Sequence, residues 1–544
     1  MGRRSYLGLF VAGLVIALCA AFFEQSPGYM DAEYYYAGAL RLVSGKGASE
    51  PYLWNYLNAP SSLPAPSFSY WMPLISLIAA AGLSLARPLG FTGARLGFIL
   101  LAGCIPPLTA ALSFRITRKP SSARLAGLLA LFPGYYLAYL PTSDAFAICM
   151  VLGTLFILLA SQRTGWISRF PVEARWFGLG LLAGLLHMTR ADGVMWLAGA
   201  GVVALYDWFG LRPKDRPAGQ PARTSLWILR LLSCAAVILI GYGLVMSPWI
   251  IHNLRTWGSP FPPGGLRAIW ITDYDQTMLY PASLLTPQHW LAAGWGAHLR
   301  AWLDSLAANL QTAIAVQGEI VLFPFIIAGF WKLRGRPEIR LGALMYLATA
   351  GVMTVVFPFA GMNGGFFHSG AALQPLLWAA APVGIEAGVS WYTRLRRIEQ
   401  PQKMERFVSA LLVGVVILLS GFLFFQRVIG SQPGQVAWSA SDRHYRAVEK
   451  TLVSFGAQPG EPVLVNNPPG YWLASGRPSL VIPDGDEQML LAVARQFAVR
   501  YVVLEVTNPK ALGNLYHERV NPEELKYLTS VGSTRLYQVN LSTP

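Results

Sequence analysis

Blocks of apolar residues long enough to cross a bilayer recur from one end of this chain to the other. They lie at 6–23, 94–114, 125–141, 145–161, 176–190, 192–209, 226–250, 314–331, 341–359, 369–390 and 407–426. A helix needs roughly 20 apolar residues to traverse the hydrocarbon layer, so the pattern predicts a polytopic α-helical membrane protein with about 11 transmembrane helices. Composition agrees. Only 13% of the 544 residues are charged, against about 25% in an ordinary soluble domain. A disordered, fibrous or cytosolic chain is excluded.

The net charge of +15 is a matter of topology. Lysines and arginines cluster in short loops between apolar blocks, as cytoplasmic loops do, which argues against a nucleic-acid face. If the shorter apolar segment 71–86 does not cross, one side holds Arg3, Arg4, Arg115–Arg124, Arg163–Arg175, Arg212–Arg230, Lys332–Arg340 and Arg394–Arg406. The opposite side, before residue 427, holds only Arg41, Lys46, Arg87, Arg95, Arg190, Arg255, Arg267 and Arg300. The positive-inside rule then puts the N-terminus in the cytoplasm and the C-terminus outside, with the first helix retained rather than cleaved as a signal peptide. A bacterial plasma (inner) membrane suits this composition. Cys19, Cys104, Cys149 and Cys234 all lie in apolar blocks without metal-ligand spacing, and read as packing residues.

The chain divides into a membrane domain, 1–426, and an extracytoplasmic domain, 427–544. Two large outer loops, 24–93 and about 251–313, belong to the first. In the tail, Val463-Leu-Val, Ser479-Leu-Val-Ile and Tyr501-Val-Val-Leu read as buried strands. The stretch from Asp486 to Val499 reads as a helix offering Leu490, Leu491, Val493 and Ala494 to a sheet, so a small α/β domain is predicted. Within the first outer loop, Ala32, Tyr36, Ala39, Leu40 and Val43 fall on one face of a surface helix. Internal repeats and nucleotide-binding or nucleophile-elbow motifs are lacking.

Acidic residues are scarce before residue 427, so their positions carry information. Asp31, Glu33, Asp144, Asp192, Asp273 and Asp275 all fall at the outer surface on this topology. Ionisable groups near membrane depth mark functional sites. Asp31, Asp144 and Asp192 also precede helices, where aspartate serves as an N-cap. Arg190 can pair with a neighbouring aspartate or reach headgroups. His187 and His368 read as satisfied core residues, and Asn363–His368 as a connector. Outer-loop aromatics such as Tyr34, Tyr52, Trp54 and Trp71 suit an interfacial belt or a sugar-stacking face. The turn Asn466–Trp472 suits contact with an acceptor.

A first span leads to Asp31-Ala-Glu33 on an amphipathic helix, then to the Pro-bounded segment Tyr70-Trp71-Met72-Pro73. A basic inner loop, the outer acidic turn at Asp144 and the Thr189-Arg-Ala-Asp-Gly193 turn follow. This order resembles the GT-C membrane glycosyltransferases, among them the protein O-mannosyltransferases and aminoarabinose lipid A transferases. The resemblance covers about the first 260 residues. It implies an enzyme that moves a sugar from a polyprenyl-phosphate donor to an extracytoplasmic glycan, lipid or protein acceptor, usually with inversion. It implies Asp31 as general base, because an alcohol becomes a good nucleophile only as its proton is accepted. Glu33 or Asp144 would orient the acceptor or stabilise charge at the anomeric carbon. Arg190 and Arg255, with Lys46 and Arg267 behind them, would bind the donor phosphate. The stretch Pro64–Pro73 has no basic residue where related transferases often carry one. No metal or cofactor is expected, although Asp31, Glu33 and Asp144 together could hold a divalent cation. The alternative class is a carrier or flippase, or a degenerate membrane scaffold. A carrier calls for acids at mid-span, for which only Glu386 offers itself.

Overall fold

A computed structural model describes residues 1–161, 171–210, 224–518 and 523–540. Arg163, Arg169, Arg212, Lys214, Arg216 and Arg223, counted above among the inner basic residues, lie outside the described residues. The protein is mostly helical and is a membrane protein. Among the described residues, five helices are each long and apolar enough to cross a bilayer: Arg3–Phe23 (α1), Leu96–Thr117, Leu231–Trp257, Pro337–Val356 and Pro401–Ile429. Phe146–Ala160, Val172–Thr189, Met195–Gly210 and Gln374–Leu395 form further apolar helices.

Two blocks expected as continuous spans are broken. The segment 125–141 ends its helix at Leu129 and resumes as a tight turn over Gly134–Ala138. Pro133 lacks an N–H to continue the helix, and Gly134 takes φ +55. The segment 314–331 divides into Thr312–Gln317 and Phe323–Lys332. Between them Glu319 and Ile320 adopt φ of 46° and 57°, uncommon for any residue with a Cβ and an outlier for a β-branched one. Elsewhere glycines set the packing. A Cβ on Gly384 would stand 1.7 Å from the Phe325 carbonyl oxygen, and one on Gly329 2.2 Å from that of Ala380. The helices Phe323–Lys332 and Gln374–Leu395 therefore cross at backbone contact, the small-residue packing that membrane helices favour.

The first outer loop folds as α2 (Met30–Val43), three short strands and α3 (Leu74–Leu85). At 12 residues, α3 is about 18 Å long, short of the roughly 30 Å hydrocarbon layer. It packs beside α2, with Gly38 against Ser76, whose hydroxyl donates to the Tyr35 carbonyl (2.9 Å). The strands are β1 (Ser49–Glu50), β2 (Tyr52–Leu53) and β3 (Ala65–Pro66). The tail adds β4 (Val463–Val465), β5 (Ser479–Val481), β6 (Tyr501–Leu504), β7 (Leu525–Val531) and β8 (Thr534–Val539).

The larger sheet has the order β2-β5-β4-β6-β8-β7, with β2, β5, β4 and β6 parallel and β8 and β7 antiparallel. Side chains alternate faces along a strand. Val463, Val465, Tyr501 and Val503 meet the helix Ala440–Ser454 on one face. Leu464, Val502 and Leu504 meet the helix Glu487–Gln496 on the other. Asp486 caps that second helix by accepting the Met489 N–H at 3.1 Å. The edge strand β2 comes from the first outer loop, so loop and tail share one sheet.

Candidate functional site

Three segments far apart in sequence meet at the start of α2. Asp31 lies in its first turn, and the helix opens without a side-chain cap. Asp144 lies in the turn before Phe146–Ala160, and Ser143 ties that turn to α2 by donating to the Ala32 carbonyl (2.8 Å). His368 comes from the short helix Phe366–Gly370, its ring stacked on Phe146 at 4.3 Å. Its Nε2 lies 3.4 Å from Asp31 Oδ2 and 3.3 Å from Asp144 Oδ2. Its Nδ1 faces the Gly364 carbonyl at 2.9 Å. Both ring nitrogens thus face acceptors, which a neutral imidazole with one N–H cannot satisfy. An imidazolium satisfies both, and so would a cation held on the Nε2 side.

Asp144 is 1% exposed. Burial acts to raise its pKa, but His368, the Tyr29 hydroxyl and the Ala145 N–H hold it below the ordinary carboxylate range. Asp31 responds differently. Burial and the nearby Asp144 charge outweigh the His368 and Arg190 charges, and its pKa rises to about 6. For His368, burial lowers the pKa, yet the two carboxylates raise it more. Two neighbouring carboxyl groups are thereby driven apart: one fixed as an anion, one poised to exchange a proton near neutrality.

Arg190 joins this group from the end of Val172–Thr189. Its Nε donates to Asp192 Oδ1 at 2.9 Å, and its charge acts on both Asp31 and Asp144. Pairing with Asp192 therefore coexists with proximity to the cluster.

Glu33 does not face it. Positions two apart on a helix point to nearly opposite sides, and Glu33 turns to the tail, where its Oε2 accepts from Asn467 Nδ2 at 2.6 Å. It is 3% exposed, and burial raises its pKa to about 7. Lys46 is exposed beyond the far end of α2, about 20 Å along the helix from Asp31. Arg255 is exposed near the end of the helix Thr224–Trp257, and Arg267 donates to the Leu57 carbonyl at 2.6 Å. Asp273 and Asp275 act on Asp484 in the tail.

His368 is the residue that sequence reasoning passed over. Asn363–His368 is more than a connector: Gly364, at φ +98, turns the chain so that its carbonyl receives His368. Only the clustering of histidine with two carboxylates distinguishes it from His187, whose Nδ1 meets the Tyr242 hydroxyl. Tyr34, Tyr35, Tyr52, Trp54 and Tyr56 are buried. They form the interior of the outer loop rather than a belt or a sugar platform, with Trp54 stacked on Trp71 at 4.2 Å. Tyr471, in the turn expected to suit contact with an acceptor, is fully buried and donates to Glu449. An aromatic cavity of about 160 Å³ is lined by Tyr70, Trp270, Tyr274, Trp290 and Trp302. Tyr70 and Tyr274 both feel the Asp31 charge, which puts the cavity on the Asp31 side of the cluster.

Asp31, Asp144 and His368 each offer one ligand atom, all within 4.8 Å of one another. Two carboxylate oxygens and an imidazole nitrogen suit a divalent transition ion or zinc. Glu33 takes no part in this set.

No protein-family model matches the sequence, and no curated protein matches it. Solved structures do. ArnT from Cupriavidus metallidurans bound to undecaprenyl phosphate matches with a TM-score of 0.53 and 12% identity, over 100% of this chain and 99% of its own. The archaeal oligosaccharyltransferase AglB from Archaeoglobus fulgidus, in complex with an inhibitory peptide and a dolichol-phosphate, matches with 0.52 and 12%. There the match covers 92% of this chain and 69% of that one. The same oligosaccharyltransferase in complex with Zn and sulfate also matches with 0.52 and 12%, over 93% and 69%. The chain shares the fold of these solved membrane proteins, as the order of its motifs led one to expect.

Proposed function

We propose that this protein is an integral glycosyltransferase of the plasma (inner) membrane. It moves one sugar from a polyprenyl-phosphate donor to an extracytoplasmic glycan, lipid or protein acceptor. The observation that carries the reading is the Asp31–His368–Asp144 cluster beside Arg190, in a fold shared with proteins solved with dolichol-phosphate and undecaprenyl phosphate. The roles follow from chemistry. Asp31 accepts the acceptor hydroxyl proton as that oxygen attacks the anomeric carbon. The bond from that carbon to the phosphate oxygen breaks, and the lipid phosphate leaves as an anion. A base with a pKa near the working pH is the efficient choice. Asp144 stays ionised and holds His368, whose position fixes Asp31. Arg190 stabilises the departing phosphate by charge and fork geometry. Attack opposite to the leaving phosphate inverts the anomeric centre.

A protonated His368 stands between the two carboxylates through its Nε2, so the reading needs no metal. Should Asp31, Asp144 and His368 hold a divalent cation, it would supply charge stabilisation at the same place.

The test is transfer in reconstituted membranes from pooled polyprenyl-phosphate sugars, comparing wild type with Asp31→Asn. Loss of a general base costs roughly 10²- to 10⁴-fold in rate. Turnover that survives in the folded variant removes Asp31 from the role. A wild type inactive with every donor overturns the transferase reading in favour of a carrier or scaffold.

A further inference from the structure

The broken helix at 318–321 surrounds a second carboxylate, unconnected with the transfer reading. Sequence inspection offered Glu386 as an acid at mid-span. Glu386 instead pairs with Lys119 of the inner basic loop at 2.7 Å and is partly exposed. The buried acid is Glu319, 1% exposed. Its Oε1 accepts from Trp378 Nε1 at 2.8 Å, while its Oε2 has no hydrogen-bond partner.

Gln374 lies one helical turn before Trp378, on the same face of Gln374–Leu395, and is fully buried. Its Nε2 donates to the Gln317 carbonyl at 2.9 Å, but its Oε1 is likewise unpartnered. Gln317 is satisfied, accepting from the Tyr346 hydroxyl and donating to the Phe366 carbonyl. Two buried oxygens, one from a carboxylate and one from an amide, thus stand without donors on side chains that border the same irregular stretch of backbone, and both are acceptors. Leaving buried polar atoms unpaired is costly, and a buried negative charge more so. What is missing is positive charge or a proton. Irregular backbone within a membrane domain survives where it is enclosed by protein or lines a cavity, and such helix breaks hold cations in other membrane folds.

The geometry points to a cation site formed by Glu319 Oε2 and Gln374 Oε1, taking a small hard cation: Na⁺, or a proton shared between the two oxygens. Hard oxygen donors with a single carboxylate suit a monovalent ion. Tyr136 and Tyr346, ionisable side chains on neighbouring elements, lie beside Gln317. The site lies beneath the outer surface, with Gln374 about 9 Å along the chain's helical path from His368. The segment Phe366–Gly370 rests on it. A Cβ on Gly370 would stand 2.0 Å from Gln317 Nε2, which itself donates to Phe366.

The experiment is thermal unfolding of the purified full chain in nanodiscs, for wild type, Glu319→Gln and Gln374→Met. The melting temperature is followed in Na⁺ against choline at fixed pH and ionic strength, and then across pH without Na⁺. A bound cation stabilises the folded state by mass action, so wild type should melt several degrees higher when the site is filled. Glu319→Gln supplies an amide donor to Gln374 and should lose that dependence. Gln374→Met should need a several-fold higher cation concentration for the same gain. A response to Na⁺ at fixed pH identifies the metal ion. A response to pH alone, absent in Glu319→Gln, identifies the proton. Wild type and Glu319→Gln responding alike to both overturn the site. If Glu319→Gln does not fold, wild type still decides. An infrared carboxylic-acid band lost on adding Na⁺ or base and shifted in Gln374→Met supports the site. An ionised carboxylate insensitive to Na⁺ overturns it.

Discussion

At the scale of single residues, the Asp31 carboxyl sets the pH behaviour. With a pKa of about 6 it is protonated in acid and unable to accept a proton. Transfer should therefore rise with pH through about 6 and level off above it, read as kcat/KM across pH. His368 lowers the pKa of both carboxylates. His368→Gln should move the acidic limb of that profile to higher pH, while unfolding temperature shows whether the fold is retained. An unchanged limb would remove His368 from the electrostatics of the cluster. Chelation distinguishes imidazolium from metal: a rate untouched by EDTA keeps the His368 imidazolium as the cation between the carboxylates. A rate lost and restored by a divalent ion puts the metal there instead.

At the scale of elements, the contacts that matter are those a side chain cannot replace. Gly384→Leu would drive a side chain into the Phe325 carbonyl. Overpacking a tight interior costs about 1–3 kcal/mol and sometimes more, so little folded protein should be recovered by size-exclusion chromatography. The helix Pro468–Ser475 braces α2 through Asn467 and Glu33. Asn467→Ala removes the donor from a buried carboxylate, a loss of roughly 1–3 kcal/mol. Glu33 ionises as pH rises through about 7, so the drop in melting temperature should be larger above that pH than below it. An equal drop on both sides would mean that the Glu33 charge plays no part.

At the scale of the whole molecule, the outer loop and the tail act together on the membrane domain. β2 of the loop completes the sheet of the tail, while α2 carries Asp31 toward the membrane helices and Glu33 toward the tail. A chain ending before Ala440 would leave β2 without its partner β5 and Glu33 without Asn467. It should insert in the membrane and yet show faster proteolysis within 24–93. Protection equal to that of the full chain would show that the loop folds without the tail.

The sequence by itself determined the class of protein, because bilayer thickness fixes how many apolar residues a crossing helix needs. It also pointed to Asp31 and Asp144, since acids are too rare in this chain for their grouping at one surface to pass unnoticed. Strand and helix patterns in the tail were legible for a similar reason: side-chain alternation is local. Tertiary structure decided the rest. Asp31 and Glu33 look like one motif in the sequence, but helical geometry points them to different partners. Asp144 and His368 are 224 residues apart and meet only when their helices pack. Whether Glu319 sits in lipid, water or protein depends on what the broken helix packs against. No local pattern records that, because the partners of a buried polar atom are chosen by the whole fold.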